Sequence, residues 1–298
     1  MAEVTCPQCR QTAKLLFCTR DFNRKVSDEP FEYFRCPACH LVFLEPIPAE
    51  LSRYYTFKYY EIPESTEAFE SMVLREKKKL DLLRRFVSGG RMLEVGAGYG
   101  AFSLLARRAG FEVEVIEQDP ACCQFLEQAV GLRVHASDKP MDVVRSLGGF
   151  DAIALWQVIE HLPNPWETLD MLAGHLMPGG VLIIATPNPE SIQFRLFQGR
   201  WAHVDAPRHL QLIPCRLLLQ RAERSGLQSA LATADFGNLR HDKFGWQGSL
   251  RNLLPQRFAG LQAMRFLTRA LGLLVSRLLR PIERAGFRGT TYTVVFRG

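Results

Sequence analysis

The chain has 298 residues, 47% hydrophobic and 23% charged, with a formal net charge of +6. Those values exclude a disordered chain and leave room for a full α/β core with additions, one large domain beside a small one. The excess charge comes largely from arginine; it permits contact with acidic partners but falls short of the basic stripe of a dedicated nucleic-acid binder.

At the N-terminus, M-A-E-V-T-C-P-Q-C lacks the apolar segment of a secretory signal, and no run of about 18 uncharged apolar residues marks a membrane span. A cytoplasmic location is expected. Four of the eight cysteines form two C-P-x-C knuckles, Cys6, Cys9, Cys36 and Cys39. Four thiolates close a tetrahedral zinc shell and leave no position for substrate, so a structural Zn²⁺ is expected; redox cysteines are the other reading. The 26-residue gap between the knuckles is longer than usual, but Phe31 to Cys36 and Leu41 to Leu44 read as short strands flanking the second knuckle, as in a zinc ribbon over residues 1–48. Arg10 and His40 stand where many knuckles carry glycine. Cys18, Cys122, Cys123 and Cys215 lack ligand spacing and read as buried small hydrophobes.

Residues 49–90 read as a linker and helical cover. Tyr54, Tyr55, Tyr59 and Tyr60 either cover a ligand pocket or seal the ribbon against the main domain. Glu67 to Val87 has the period of one amphipathic helix, packing Met72, Leu74, Leu80, Leu82, Leu83 and Phe86, with Lys77 to Lys79 on a solvated face.

From Arg91 the pattern alternates strand and helix, the signature of a parallel, doubly wound sheet. Leu93 to Phe102 reads L-E-V-G-A-G-Y-G-A-F, a strand running through a glycine turn into a helix. Such a turn lets a ligand approach the backbone, and the helix N-terminus offers it unpaired N–H groups. Gly96-x-Gly98-x-x-Ala101 satisfies the dinucleotide fingerprint. The same residues, read as Glu94-x-Gly96-x-Gly98-x-Gly100, resemble the first motif of class I S-adenosylmethionine-dependent methyltransferases. That resemblance makes Glu94, Gly96, Ala97, Gly98 and Gly100 neighbours of the cofactor's methionine end. A second strand, Phe111 to Ile116, ends in Glu117, where either cofactor presents its ribose hydroxyls, with Gln118 beside it. After the third strand, the resemblance places Asp138 near the adenine; a solvated loop acid is the alternative.

The fourth strand separates the two cofactors. Phe150 to Trp156 runs into Gln157-Val-Ile-Glu160-His161-Leu-Pro-Asn-Pro165, similar to the V-L-E-H-L-x-N-P segment of many small-molecule methyltransferases and unexpected in a dehydrogenase. By that resemblance Trp156 and Gln157 meet the methionine amine. A helix from Leu169 to Leu176, stopped by Pro178-Gly179-Gly180, precedes a fifth strand, Val181 to Ala185. The loop after it gathers Trp201, His203, Asp205, Arg208 and His209. There a histidine base and an orienting carboxylate are available, and loops placed by a rigid sheet concentrate such groups. His161 or His203 is the candidate base, Asp205 its orienting acid, and Trp201, Arg208 and His209 the substrate contacts.

Leu217 to Ser225 is a helix, Leu227 to Asp235 a sixth strand and Thr290 to Phe296 a seventh; the family sheet ends in such an antiparallel hairpin. The intervening residues, about 237–289, are too many for a plain loop and require structure of their own. Within them Gln262, Arg265, Arg269, Ser276, Arg280 and Arg284 share one helical arc, with Phe266 and Leu273 intruding, while Leu267, Leu271, Leu274 and Leu278 face the other way. This stretch, 261–284, either lies on an anionic membrane surface, at the inner face of a membrane, or caps the sheet with its arginines in water.

The resemblance implies an α/β, Rossmann-like, seven-stranded methyltransferase domain at 91–298 with a helical insertion before the last strand. Its reaction is methyl transfer from S-adenosylmethionine to a small-molecule, saccharide or lipid-linked acceptor, at a hydroxyl oxygen. An NAD-dependent oxidoreductase or nucleotide-sugar-modifying enzyme, and a non-catalytic zinc adaptor, are the alternative classes. Oligomeric state is not encoded in any of these patterns.

Overall fold

The computed structural model describes residues 4–55, 62–234, 239–259, 261–284 and 286–298. Strands β1 (Val4–Thr5), β2 (Thr12–Thr19), β3 (Phe31–Arg35) and β4 (Val42–Leu44) form an antiparallel meander around the two cysteine knuckles. Next come two short helices, Thr66–Arg75 and Lys77–Arg84. The second sheet collects β5 (Gly90–Val95), β6 (Phe111–Glu117), β7 (Arg133–Ala136), β8 (Phe150–Trp156) and β9 (Leu176–Pro187). After β9, the short β10 (Gln211–Leu212) returns to the first sheet, pairing with β4, while β11 (Gln228–Thr233) and β12 (Thr291–Arg297) complete the second. Its order is β7-β6-β5-β8-β9-β12-β11, parallel except for β12, which runs antiparallel to both neighbours. The doubly wound sheet expected from the alternating pattern is present, with the seven strands that the family resemblance implied.

Runs such as Met92 to Val95 and Val181 to Ala185, apolar except for the acid Glu94, are buried on both faces, as a covered parallel sheet requires. Alternation divides them. Leu93, Val95, Ile153, Leu155, Leu182 and Ile184 face one core with the helices Pro165–Gly174 and Cys215–Arg224. Met92, Ala152, Ala154, Val181 and Ile183 face the other, under the helices Thr66–Arg75, Lys77–Arg84 and Ala101–Arg108. A third cluster, including Tyr33, Tyr54, Trp201 and Leu212, joins the ribbon to the segment after β9.

Three local expectations are corrected. The helix over 67–87 is broken at Glu76, leaving Leu74 69% exposed. The break aims Lys79 inward: its Nζ meets Glu76 at 2.6 Å and lies 4.8 Å from the centre of the Trp156 ring, so this lysine is not on a solvated face. The Pro178-Gly179-Gly180 turn does not precede the fifth strand but bulges within it, between the pairs Phe150 with Leu176 and Ala152 with Val181. The insertion is helical as expected, with Leu239–Asn252, Gln256–Ala259 and Gln262–Arg284, but it packs through small residues. A Cβ on Gly272 would lie 2.6 Å from Gln247 Cγ, and the leucines turn outward. Tyr59, Tyr60 and Asp235 lie outside the described residues.

Candidate active site

β5 leads into a turn that glycine makes most easily: Gly96, Gly98 and Gly100 hold φ of 71°, 56° and 72°. A Cβ on Gly96 would lie 2.6 Å from Val158 Cγ2, and one on Gly100 would collide with Leu126. Beneath the turn, buried Glu94 accepts a hydrogen bond from Ser103 Oγ. Burial raises its carboxyl to about 7, opposed by the charge of Lys79. At the end of β6, Glu117 Oε2 accepts the Gly98 N–H at 2.7 Å, while Oε1 accepts those of Gln118 at 2.8 Å and Asp119 at 2.9 Å. Burial raises this acid as well, against those three donors.

Ala97 is half-buried, and Gln118 and Asp138 are exposed. Asp138 follows β7, beside the point where Ser137 N–H meets the Glu117 carbonyl at 2.9 Å. Trp156 ends β8; Gln157, at φ 60°, donates its N–H to the Ala185 carbonyl at 2.8 Å. All these residues therefore sit at the carboxyl ends of the adjacent strands β5 to β8, where open α/β sheets bind ligands.

Beyond Gln157 the chain turns through Ile159–His161. Buried Glu160 accepts from Thr186 Oγ1 at 2.9 Å through Oε2, and its Oε1 has no hydrogen-bond partner among the described residues. Burial pushes this carboxyl up to about 8. His161 Nδ1 lies 3.0 Å from both the Arg208 carbonyl and Tyr55 Oη. A carbonyl only accepts, so Nδ1 carries the proton and Nε2 the lone pair. The same logic applies to His209, whose Nδ1 is 2.8 Å from the His203 carbonyl. The two rings meet edge to face at 4.5 Å, and burial lowers them to about 4 and about 3. One ligating atom each from Glu160, His161 and His209 lies within 4.8 Å of the others, so this trio could hold a cation.

The rest of the expected loop constellation is rearranged. Arg208 spends all five N–H donors internally: Nε and Nη2 on Asp205, Nη1 and Nη2 on Asp21, and Nη1 also on the Tyr54 carbonyl, at 2.6 to 3.3 Å. Asp205 also accepts from Asn23 Nδ2 at 2.6 Å. Burial alone would raise Asp205, but the hydrogen bonds and charge of Arg208 hold it well below the usual carboxylate range. Asp205 therefore pairs with an arginine rather than orienting a histidine by hydrogen bond, and Arg208 ties the loop to the ribbon rather than meeting substrate. Trp201 is 1% exposed and donates to Gln193 Oε1 at 3.3 Å, a packing position. His203 is buried between Trp201 and Phe244, so the structure joins His161 with His209 and not with His203.

Tyr54 seals the ribbon, donating to Glu29 at 2.7 Å, whereas Tyr55 Oη reaches His161 Nδ1. Lys79 and Thr186 were missed as site neighbours. Thr186 was marked only by its place after the fifth strand; Lys79 carries no local motif.

The four knuckle thiols also converge. Cys6 and Cys39 Sγ are 3.6 Å apart and Cys9 and Cys36 Sγ 3.3 Å, with all four within 4.8 Å. A tetrahedral zinc with bonds of about 2.3 Å spaces its sulfurs about 3.8 Å apart, so the donor set and its size fit this ion. Arg10 and His40 take φ of 63° and 60°, the left-handed conformation for which glycine is usual. His40 is exposed and outside the cluster.

A parallel sheet with an antiparallel last strand, a glycine turn after its first strand and an acid after its second define a nucleotide-cofactor enzyme of the Rossmann-like class. A methyltransferase domain family matches residues 70–231, more than half of the 298. The chain belongs to this family, and the matched span is an S-adenosylmethionine-dependent methyltransferase domain. That decides the cofactor read from the glycine turn.

Among curated proteins, the chain is 31% identical over 113 residues to the ubiquinone biosynthesis O-methyltransferase of Xanthomonas campestris pv. campestris, covering 36% of this chain and 47% of that one. The protein of the same name from Xanthomonas axonopodis pv. citri is 31% identical over 114 residues, covering 37% and 48%. The chain spans about half the length of these curated relatives. Among solved structures, the cyclopropane synthase MmaA2 of Mycobacterium tuberculosis gives a TM-score of 0.51 at 14% identity, over 75% of this chain and 84% of its own. A cyclopropane-fatty-acyl-phospholipid synthase-like protein of Lactobacillus casei gives 0.50 at 16% identity, over 80% and 96%. These two likenesses show the fold.

Proposed function

We propose that the protein transfers the methyl group of S-adenosylmethionine to a hydroxyl oxygen of a small-molecule, saccharide or lipid-linked acceptor, with His161 taking the hydroxyl proton. The observation that carries this reading is the tautomer of His161, with Nδ1–H held by the Arg208 carbonyl and the Nε2 lone pair left over beside the cofactor edge. The names of the curated relatives support oxygen as the acceptor. In the reaction the acceptor oxygen attacks the methyl carbon, the carbon–sulfur bond breaks, and its electron pair stays on sulfur as S-adenosylhomocysteine leaves. The methyl is already activated by the positive sulfur, so alignment supplies most of the catalysis. His161 is a weak base, its pKa lowered by burial. It takes the proton as the new oxygen–carbon bond makes that oxygen strongly acidic, and the timing is concerted.

A second reading follows from the unpartnered Oε1 of Glu160. A divalent cation held by Glu160, His161 and His209 would supply Lewis-acid polarisation of the acceptor oxygen. Activity that vanishes on chelation while the ribbon zinc is retained, and returns with added Mn²⁺, selects this reading over His161 as base.

The first experiment is calorimetric titration of ligand-free protein with S-adenosylmethionine and S-adenosylhomocysteine, with NAD as control. Binding of the first two, abolished in Glu117→Ala, is expected; binding of NAD alone overturns the proposal. In an acceptor screen, His161→Asn is expected to lower kcat by about 10² to 10⁴ while leaving S-adenosylmethionine affinity unchanged.

A further inference from the structure

The insertion before β12 has a composition unlike the rest of the chain. Residues 244–282 contain six arginines and no aspartate or glutamate. They also hold ten of the fifteen large hydrophobic side chains exposed among the described residues. The arrangement is ordered. Leu267, Leu271, Leu274, Leu278 and Ile282 follow a spacing of three or four along Gln262–Arg284, which sets them in one stripe. They are 43% to 66% exposed, and Phe266 beside them is 75% exposed. Thr268 and Gly272 occupy the packed side, against the helix Leu239–Asn252, so the stripe is surplus to the protein's own core.

Arginines lie on the opposite side of the helix from this stripe. Arg265, Arg269 and Arg280 form a rim on the side of the helix away from the leucines, and Arg251 lies close enough to Arg265 and Arg269 to be repelled by them. No ion pair involves Arg251, Arg265, Arg269 or Arg280 among the described residues, and like charges held together without acids are stabilised by an anionic partner. At the end of the rim, a cavity of about 350 Å³ is lined by Arg20, Lys25, Arg200 and Arg251, with Asp21 and Asp28 also on its wall. Asp21 is already committed to Arg208. No helix of the described residues is long and apolar enough to cross a membrane.

We propose that this face docks the protein on the surface of an anionic phospholipid bilayer. The helix Gln262–Arg284 lies in the plane of the interface, its leucine stripe among the acyl chains and its arginine rim at the level of the phosphates, one of which the basic cavity receives. The occupant is a lipid surface because its chemistry matches both halves of the face, a continuous apolar stratum beside a dense layer of negative charge. This inference is independent of which acceptor is methylated.

The test is co-sedimentation of the full chain, ribbon zinc retained, with vesicles of phosphatidylcholine alone or mixed with phosphatidylglycerol. Sedimentation with the anionic vesicles, weakening as salt rises, is expected. Leu274→Glu should abolish it, and Arg265→Gln and Arg269→Gln should each weaken it about fivefold. All three positions are exposed, so unchanged circular dichroism and melting temperature separate loss of docking from loss of fold. Failure to bind anionic vesicles at low salt, or binding indifferent to Leu274→Glu, overturns the proposal. So does a concentration-dependent dimer that Leu274→Glu dissolves in a chain that ignores vesicles, since the occupant is then a second copy.

Discussion

At Arg208, five N–H groups meet five acceptors with no contact to water, a closed account for a guanidinium and two carboxylates. Removing one member of such a set leaves buried charge uncompensated. Arg208→Met is therefore expected to destabilise the fold by about 3 to 5 kcal/mol, read by chemical denaturation at neutral pH. The depressed pKa of Asp205 gives the effect a sign in acid. Its contribution is present above the unfolded value of about 3.9 and is lost as pH falls through the folded one, so the gap between wild type and variant should narrow below about pH 4. The glycines and Glu117 were readable from sequence because their chemistry depends on neighbours a few positions away. Asp21 was not, since its partner stands 187 positions along the chain and no local spacing announces it. Asp205 was assigned to a histidine, His161 or His203, when the arginine three residues on was the better match.

Strands and helices of the second sheet were legible because a buried parallel strand writes itself as an apolar run and each glycine or proline marks its end. The fourth strand, Phe150–Trp156, was found to the residue. The ribbon was only half seen. β2 is mostly exposed and alternates weakly, and β10 has two residues, too few for any period. β10 nevertheless fixes the loop that carries His209, since Leu212 pairs with Val42 and Tyr33 Oη donates to the His209 carbonyl at 2.7 Å. Zinc bound in the knuckles would thereby support the candidate base at a distance. Elemental analysis is expected to find about one zinc per chain. Cys36→Ser should lose it and raise amide exchange over residues 205–212 as well as in the ribbon. Unchanged exchange in that loop would show that the ribbon folds without reference to it.

Across the whole molecule, residues of both sheets share one core: Cys6, Phe34 and Phe43 from the ribbon pack in the same cluster as Leu93, Ile153 and Ile213. Two units with a common core melt together. Thermal unfolding followed by the visible absorption of a Co²⁺-substituted ribbon and by far-ultraviolet dichroism should give coincident transitions; two separated midpoints would count against a single cooperative unit. The pairing of Val42 with Leu212 also has a consequence in time. The two residues are 170 positions apart (212 − 42), a distance that takes about 10 to 30 s to synthesise at roughly 5 to 20 residues per second. Throughout that interval all four cysteines are already made while β4 presents a bare edge. The nascent chain thus passes through a stage at which metal capture can precede sheet completion, and anything that slows translation before residue 211 prolongs the exposure of an aggregation-prone edge.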